Sequence, residues 1–264
     1  MHPMVQFGLR AARSAAEQFL RIRERIENAH EEYNLARLLE DAGRNAETLI
    51  VRQLARGYGE HGVSGRFTPY REGEGEGQNY HWRIEPFHGY SDLSVAGKGC
   101  ALSLVCLYKD RPEHAIVICP FSDDEYLASR GRGAHHNDKR IRVPRHAGIQ
   151  GARMALSLPE SDFRSRYLTS YVTLIEKLGP QVETQLATGS GLLDIIALAS
   201  GRAHMVFVLG LEEQDKLVGG LLLKEAGALS GSLDGSPSVD IEGPLMAAGP
   251  RLYKALMQNL KPHF

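Results

Sequence analysis

Cysteine is scarce in this chain, with Cys100, Cys106 and Cys119 as the three among 264 residues. An odd count leaves no closed disulfide framework, and none of the three has the CxxC spacing or histidine neighbours of a zinc site. Buried thiols in a reducing cytoplasm are the expectation. An excess of either charge is also missing: 31 Lys and Arg against 32 Asp and Glu leave a formal charge of −1. No overall field therefore draws the chain to nucleic acid or an anionic membrane, and such a contact must come from a local patch. Long apolar runs are lacking too. The stretch MHPMVQFGLRAARSAAEQFL has no apolar signal core, and no window approaches the length of a membrane span. The expectation is a soluble, cytoplasmic protein with no membrane partner. Neither a Gly-x-Ser-x-Gly elbow nor a Cys-His constellation offers a nucleophile.

What is present is ordinary globular material, 42% apolar and 24% charged, enough for one large core or two packed lobes. From Pro3 to about Asn28, Val5, Leu9, Ala12, Ala16, Phe19 and Leu20 recur at three and four, which predicts an amphipathic helix. A second helix is predicted over 31–58. The stretch 59–78, containing REGEGEGQ, reads as an exposed, flexible loop. The period then changes to two: HWRIEPF, CALSLVCLY, HAIVICPF and EYLAS predict an antiparallel meander, continued by a hairpin around Asn137 and Asp138. Beyond it, strands and helices alternate. A helix over DFRSRYLTSYVTLIEKL has Asp162 as its expected N-cap, and a last helix begins at Pro250. The predicted organisation is an α+β lobe over 1–145 and an α/β lobe over 146–264.

The motifs ASRGRGAHHNDKRIRV, TGSGLLDIIALASGRA and QDKLVGGLLLKEAGA, in this order of elements, resemble the inositol monophosphatase family over nearly the whole chain. Within it, the Met-His-Pro-Met start and the Arg/Ala-rich first helix are similar to the bacterial extragenic-suppressor (SuhB-type) branch. The resemblance implies a layered αβαβα sandwich, an antiparallel sheet in the first lobe and a helix-covered mixed sheet in the second, and a homodimer. It also implies Mg²⁺-dependent hydrolysis of inositol or sugar phosphates, in which divalent ions held by carboxylates neutralise a dianionic monoester.

Carried over residue by residue, the resemblance implies a depleted centre. The first metal glutamate falls on Arg66, the two aspartates of the Asp-Pro-x-Asp-Gly-Thr loop on Glu85 and His88, and the threonine on Tyr90. The aspartate that partners this threonine falls on Gly43, a substrate-contacting acid on Val208, and the tryptophan before the last metal aspartate on Gln214. Asp215 alone keeps its identity. Two readings follow. One is a catalytically impaired or inactive protein without a cofactor, kept for a structural role or for binding a macromolecular partner such as transcription machinery. The other is a phosphatase using Mg²⁺ or a similar ion in a rebuilt site of Glu85, His88 and Asp215, enriched by Glu212 and Glu213. Against the second, acids at these positions serve equally as polar loop residues or as a solvated first helical turn. Gly89, Tyr90, Gly189 and Ser190 are candidates for binding an anion through backbone amides. The stretch 130–146 holds six Arg and Lys and three His. With no aromatics interleaved for base stacking, it is expected to be a solvated hairpin and not a direct nucleic-acid contact. His81, Trp82 and His204 are expected to pack.

Overall fold

A computed structural model describes residues 2–27, 32–89, 99–236 and 243–264. The chain divides into two compact units, Met1–Asp138 and Lys139–Phe264.

The first unit opens with α1 (Pro3–Arg21), whose N-terminus is capped by His2, the ring Nδ1 accepting from Met4 N–H at 3.2 Å. Of its predicted apolar stripe, Val5, Leu9, Ala12, Ala16 and Phe19 are buried, whereas Leu20 is exposed. The helix stops earlier than expected. Ile22 leaves helical geometry and donates its N–H to Phe19 O, and a short α2 (Arg23–Glu27) follows. Next come α3 (Glu32–Gly57) and the strands β1 (Gly62–Gly65), β2 (Tyr80–His88), β3 (Ala101–Tyr108), β4 (Arg111–Cys119), β5 (Asp124–Ser129) and β6 (Gly133–His136). They lie in sequence order in one sheet. β1 pairs parallel with β2, and the rest is the predicted antiparallel meander. α1 and α3 cover one face, where Phe19, Ile50 and Leu54 meet Trp82, Leu104 and Ile116. Gly8 allows the close approach, since a Cβ there would stand 2.6 Å from Ile116 Cδ1. Asn137 and Asp138 both take positive φ, as a two-residue hairpin turn requires.

The stretch 59–78 is mostly exposed from Arg71 to Gln78, as expected, but its backbone corrects the rest of the expectation. It is no open loop but contains β1, a bridge from Val63 to Arg71, and a 3₁₀ turn at Gly75–Gly77. Glu60 accepts the N–H of Glu76, and Arg71 donates to the carbonyls of Gly59 and His61. Its glycines serve packing: a Cβ at Gly77 would lie 2.4 Å from the Glu60 backbone.

In the second unit, β7 (Lys139–Ile141) and the run after it precede β8 (Arg153–Leu156), α4 (Ser161–Leu178), β9 (Thr184–Leu186), α5 (Gly191–Ala199), β10 (Met205–Val208), α6 (Glu213–Glu225), β11 (Leu229–Gly231), β12 (Leu245–Ala248) and α7 (Pro250–Leu260). The run after β7 packs here, with Val143 N–H on Ala226 O at 3.0 Å. The five-stranded sheet has the order β11-β12-β10-β8-β9. It is mixed, because β10 is parallel to β8 but antiparallel to β12. α4 is capped at Glu160, with Asp162 inside its first turn, which displaces the expected cap by two positions. Among the described residues no helix is long and apolar enough to cross a membrane.

Candidate functional site

In the first unit the chemistry collects where β1 and β2 run into their loops. Glu47 of α3 is fully buried, and both its carboxylate oxygens accept the N–H of Phe67, at 3.0 and 3.1 Å. Gly65 leaves room for this grip, since a Cβ there would stand 2.5 Å from Glu47 Oε1. The turn is thereby fixed, and Arg66 at its tip sends Nη1 to within 3.6 Å of Glu85 Oε1. Glu85 also accepts from Phe87 N–H at 3.4 Å. Arg66 is 59% exposed and Glu85 only 14%, so the cation reaches from solvent over a sheltered carboxylate.

β2 is bulged here. Glu85 faces Ser103 and His88 faces Ala101, so the interval on β2 is one residue longer than on β3. Pro86 sits in the bulge, where its missing N–H breaks no ladder bond. The bulge leaves His88 buried, with Nε2 2.9 Å from Ser103 Oγ. Gly89 follows at φ +88, and Tyr90 lies outside the described residues. Gly43 is closely packed. A Cβ would meet the Phe67 ring at 3.3 Å and Pro86 at 3.5 Å, and Arg44 stacks over that ring at 4.5 Å.

In the second unit the turn into α5 is organised by Asp194, a fully buried carboxylate. It accepts from Ser157 N–H at 3.0 Å, from Thr188 N–H at 3.2 Å and from Thr188 Oγ1 at 2.8 Å. Burial raises its pKa, and these hydrogen bonds oppose the rise. The turn amides expected to face an anion have protein partners: Gly189 N–H donates to Ser157 Oγ at 2.9 Å, and Ser190 N–H to Thr188 Oγ1 at 3.3 Å. Ser190 is buried and begins α5. Asp215, nearly buried in the first turn of α6, has Oδ2 3.9 Å from where a Cβ at Gly191 would lie. Val208 and Leu211 close on that same position at 2.7 and 2.9 Å, so apolar groups stand beside the retained aspartate.

Glu85 and His88 thus share one strand end with Arg66, and Asp215 shares the second unit with Gly189 and Ser190. Glu212 is the N-cap residue of α6 and Glu213 lies in its first turn. His81 contacts Ser64 Oγ at 2.8 Å, Trp82 is fully buried, and His204 Nδ1 accepts from Arg153 N–H at 2.9 Å, so all three pack as expected. The residue composition of the first unit's site does not fit Mg²⁺ bound in the family manner. Hard cations want several carboxylate oxygens, whereas a guanidinium lies against Glu85, and an imidazole, a softer ligand, is turned to a serine. Among the described residues no three His, Cys, Asp or Glu side chains gather to hold a metal. Sequence reasoning missed Glu47 and Asp194. Glu47 did leave a signal, an acid at helical spacing with buried Ile50 and Leu54.

A helix-covered meander followed by a mixed sheet, with polar turns at the strand ends and helix starts, defines a layered α+β protein. Residues 1–263 match the model of the inositol monophosphatase family, and the chain belongs to that family. It is 34% identical over 264 residues to the Nus factor SuhB of Pseudomonas aeruginosa, covering 100% of this chain and 97% of that protein. Identity to the Nus factor SuhB of Escherichia coli K12 is 29% over 265 residues, covering 99% and 97%. Among solved structures, the extragenic suppressor protein SuhB of Bartonella henselae superposes with a TM-score of 0.84 at 20% identity over the whole of both chains. The inositol monophosphatase of Anabaena does so at 0.80 and 19%, covering 98% of this chain and 95% of that one. The fold expected from the sequence is therefore the fold observed.

Proposed function

We propose that this member of the family has lost metal-dependent ester hydrolysis and acts by binding a partner in the transcription machinery, as a cytoplasmic homodimer. The observation that carries the first half is the Arg66–Glu85 ion pair. A cation supplied by the chain neutralises the carboxylate that would otherwise attract a dication, and like charges repel at this range. Gly43 supports the same reading, because the acid that would orient an attacking water is replaced there by a glycine packed closely by the Phe67 ring and Pro86. The second half rests on the likeness, over nearly full length, to proteins named Nus factors.

The purified chain is assayed on inositol 1-phosphate and a set of sugar phosphates with Mg²⁺, Mn²⁺ and Zn²⁺. No metal-dependent turnover is expected. Turnover abolished by Asp215→Asn would instead establish the rebuilt phosphatase centre. For the partner, tagged protein is mixed with a reconstituted transcription elongation complex; failure to co-elute with it rejects that half.

A further inference from the structure

The basic stretch left without a role is 130–146, and the structure separates its members. Arg130 is tied down, 3.2 Å from Glu113 and bonded to Pro112 O. Beyond the turn, in the second unit, Lys139, Arg140, Arg142 and Arg145 are exposed, set between half-buried Ile141 and Pro144 and buried Val143. The chain entering α7 lies against this run, since a Cβ at Gly249 would be 3.0 Å from Pro144 O and 3.9 Å from Val143 Cγ2. α7 then adds Arg251 and Lys254, exposed and one helical turn apart. None of these six cations makes an ion pair or hydrogen bond with any other described residue. α7 has no acid in its first turn to offset them.

We infer that this surface, Lys139 to Arg145 together with Arg251 and Lys254, binds the phosphate backbone of RNA. Arg140 and Arg142 are exposed two apart around a half-buried Ile141, the alternation of an extended run, where residues two apart share a face about 6.6 Å apart. Such a row lines up cations for successive phosphates of one strand. Four of the six are arginines, whose planar fork matches phosphate oxygens. A protein partner would want an apolar centre inside the charged rim. The exposed residues of this run are all cationic. A second copy would set like charge on like charge across a two-fold axis. Without aromatics for stacking, the contact reads backbone and not bases. The neutral net charge of the whole chain does not oppose this, because the patch is local. The choice of RNA over DNA rests on the transcription reading above.

Fluorescence anisotropy of the full chain with a labelled oligouridine of about 20 nucleotides, titrated between ~50 and ~200 mM salt, tests this. Saturable binding that weakens with salt is expected. Arg140→Gln with Arg142→Gln should weaken it at least about tenfold at the low-salt end and lower the log–log salt slope by about 1.4. Arg251→Gln with Lys254→Gln provides a second pair, and unchanged thermal melting certifies that each variant folds. No binding at the low-salt end overturns the inference, as does binding that neither pair affects. Tighter binding of the matching deoxyoligonucleotide, or equal binding of polyglutamate, overturns it too. None of these results touches the elongation-complex experiment, so the two proposals fail separately.

Discussion

Replacing Arg66 with glutamate isolates the electrostatic claim. At 3.6 Å and an effective dielectric of ~20, the Arg66–Glu85 attraction is roughly 4–5 kcal/mol before solvent is counted. With the arginine more than half exposed, the net value of the pair is at most about 1 kcal/mol, so losing it leaves the fold intact. A dication in the same place would feel twice the gross figure, against it from the guanidinium and for it from a carboxylate. The swing on Arg66→Glu is then roughly 18 kcal/mol gross. Even a tenfold discount for solvent leaves about 2 kcal/mol, some twentyfold or more in affinity. The readout is melting temperature against Mg²⁺. If the variant binds with a Kd of ~1 mM, ~10 mM Mg²⁺ stabilises it by about 1.4 kcal/mol, a rise of roughly 2–3 °C. The wild-type chain is expected to show no rise, and Glu85→Gln in the variant background should abolish it. An equal rise in wild type and variant, or none in the variant, refutes the claim that Arg66 holds the metal's place.

Asp194→Asn should cost about 1–3 kcal/mol near neutral pH, because its amide NH₂ would face the N–H of Ser157, or those of Thr188 if flipped. Denaturant midpoints at constant m measure the loss. The native carboxyl pKa is raised, so its contribution to stability falls as pH climbs from the ordinary value of 3.8 through the folded value and is flat above; the variant should lack that acid-side dependence. His114 is buried, with Nδ1 3.0 Å from Ser129 Oγ; burial first, then His2 and Arg132, lower its pKa from 6.5 to about 4. The unfolded chain takes up this proton first, so stability should fall by roughly 3 kcal/mol as pH drops from 6.5 to about 4. His114→Gln should flatten that part of the stability profile.

Periodicity exposed most of the fold, because its main helices bury one stripe and its meander strands alternate or run fully apolar. It failed where geometry is set by distant partners. β1 is Gly-Val-Ser-Gly, four residues with no side-chain pattern, and exists because β2 lies parallel beside it. β11 has three residues and depends likewise on β12. Glycines from 59 to 77 suggest chain freedom, whereas Gly62 and Gly77 are places where backbone or side chain comes too close for a Cβ. A sequence shows that a glycine is present but not which of its two properties is in use.

At the site, the resemblance located the altered positions, but only the coordinates show how they answer one another. Arg66 alone would be a misplaced charge, yet it faces Glu85. Gly43 alone would be a hole, yet the Phe67 ring and Pro86 close over it, and Glu47 fixes the turn that carries both Arg66 and Phe67. His88 alone would be a buried, unsatisfied ring, yet its Nε2 meets Ser103. Arg66, Gly43 and His88 each meet a complement on another element, so these strand ends form a mutually satisfied polar and apolar patch. On that reading, a single acid placed at Gly43 would have to displace the Phe67 ring slightly and would not restore turnover by itself. If hydrolysis is lost as proposed, regaining it would require changing the cation, the ring and the imidazole together, because each supports its neighbour.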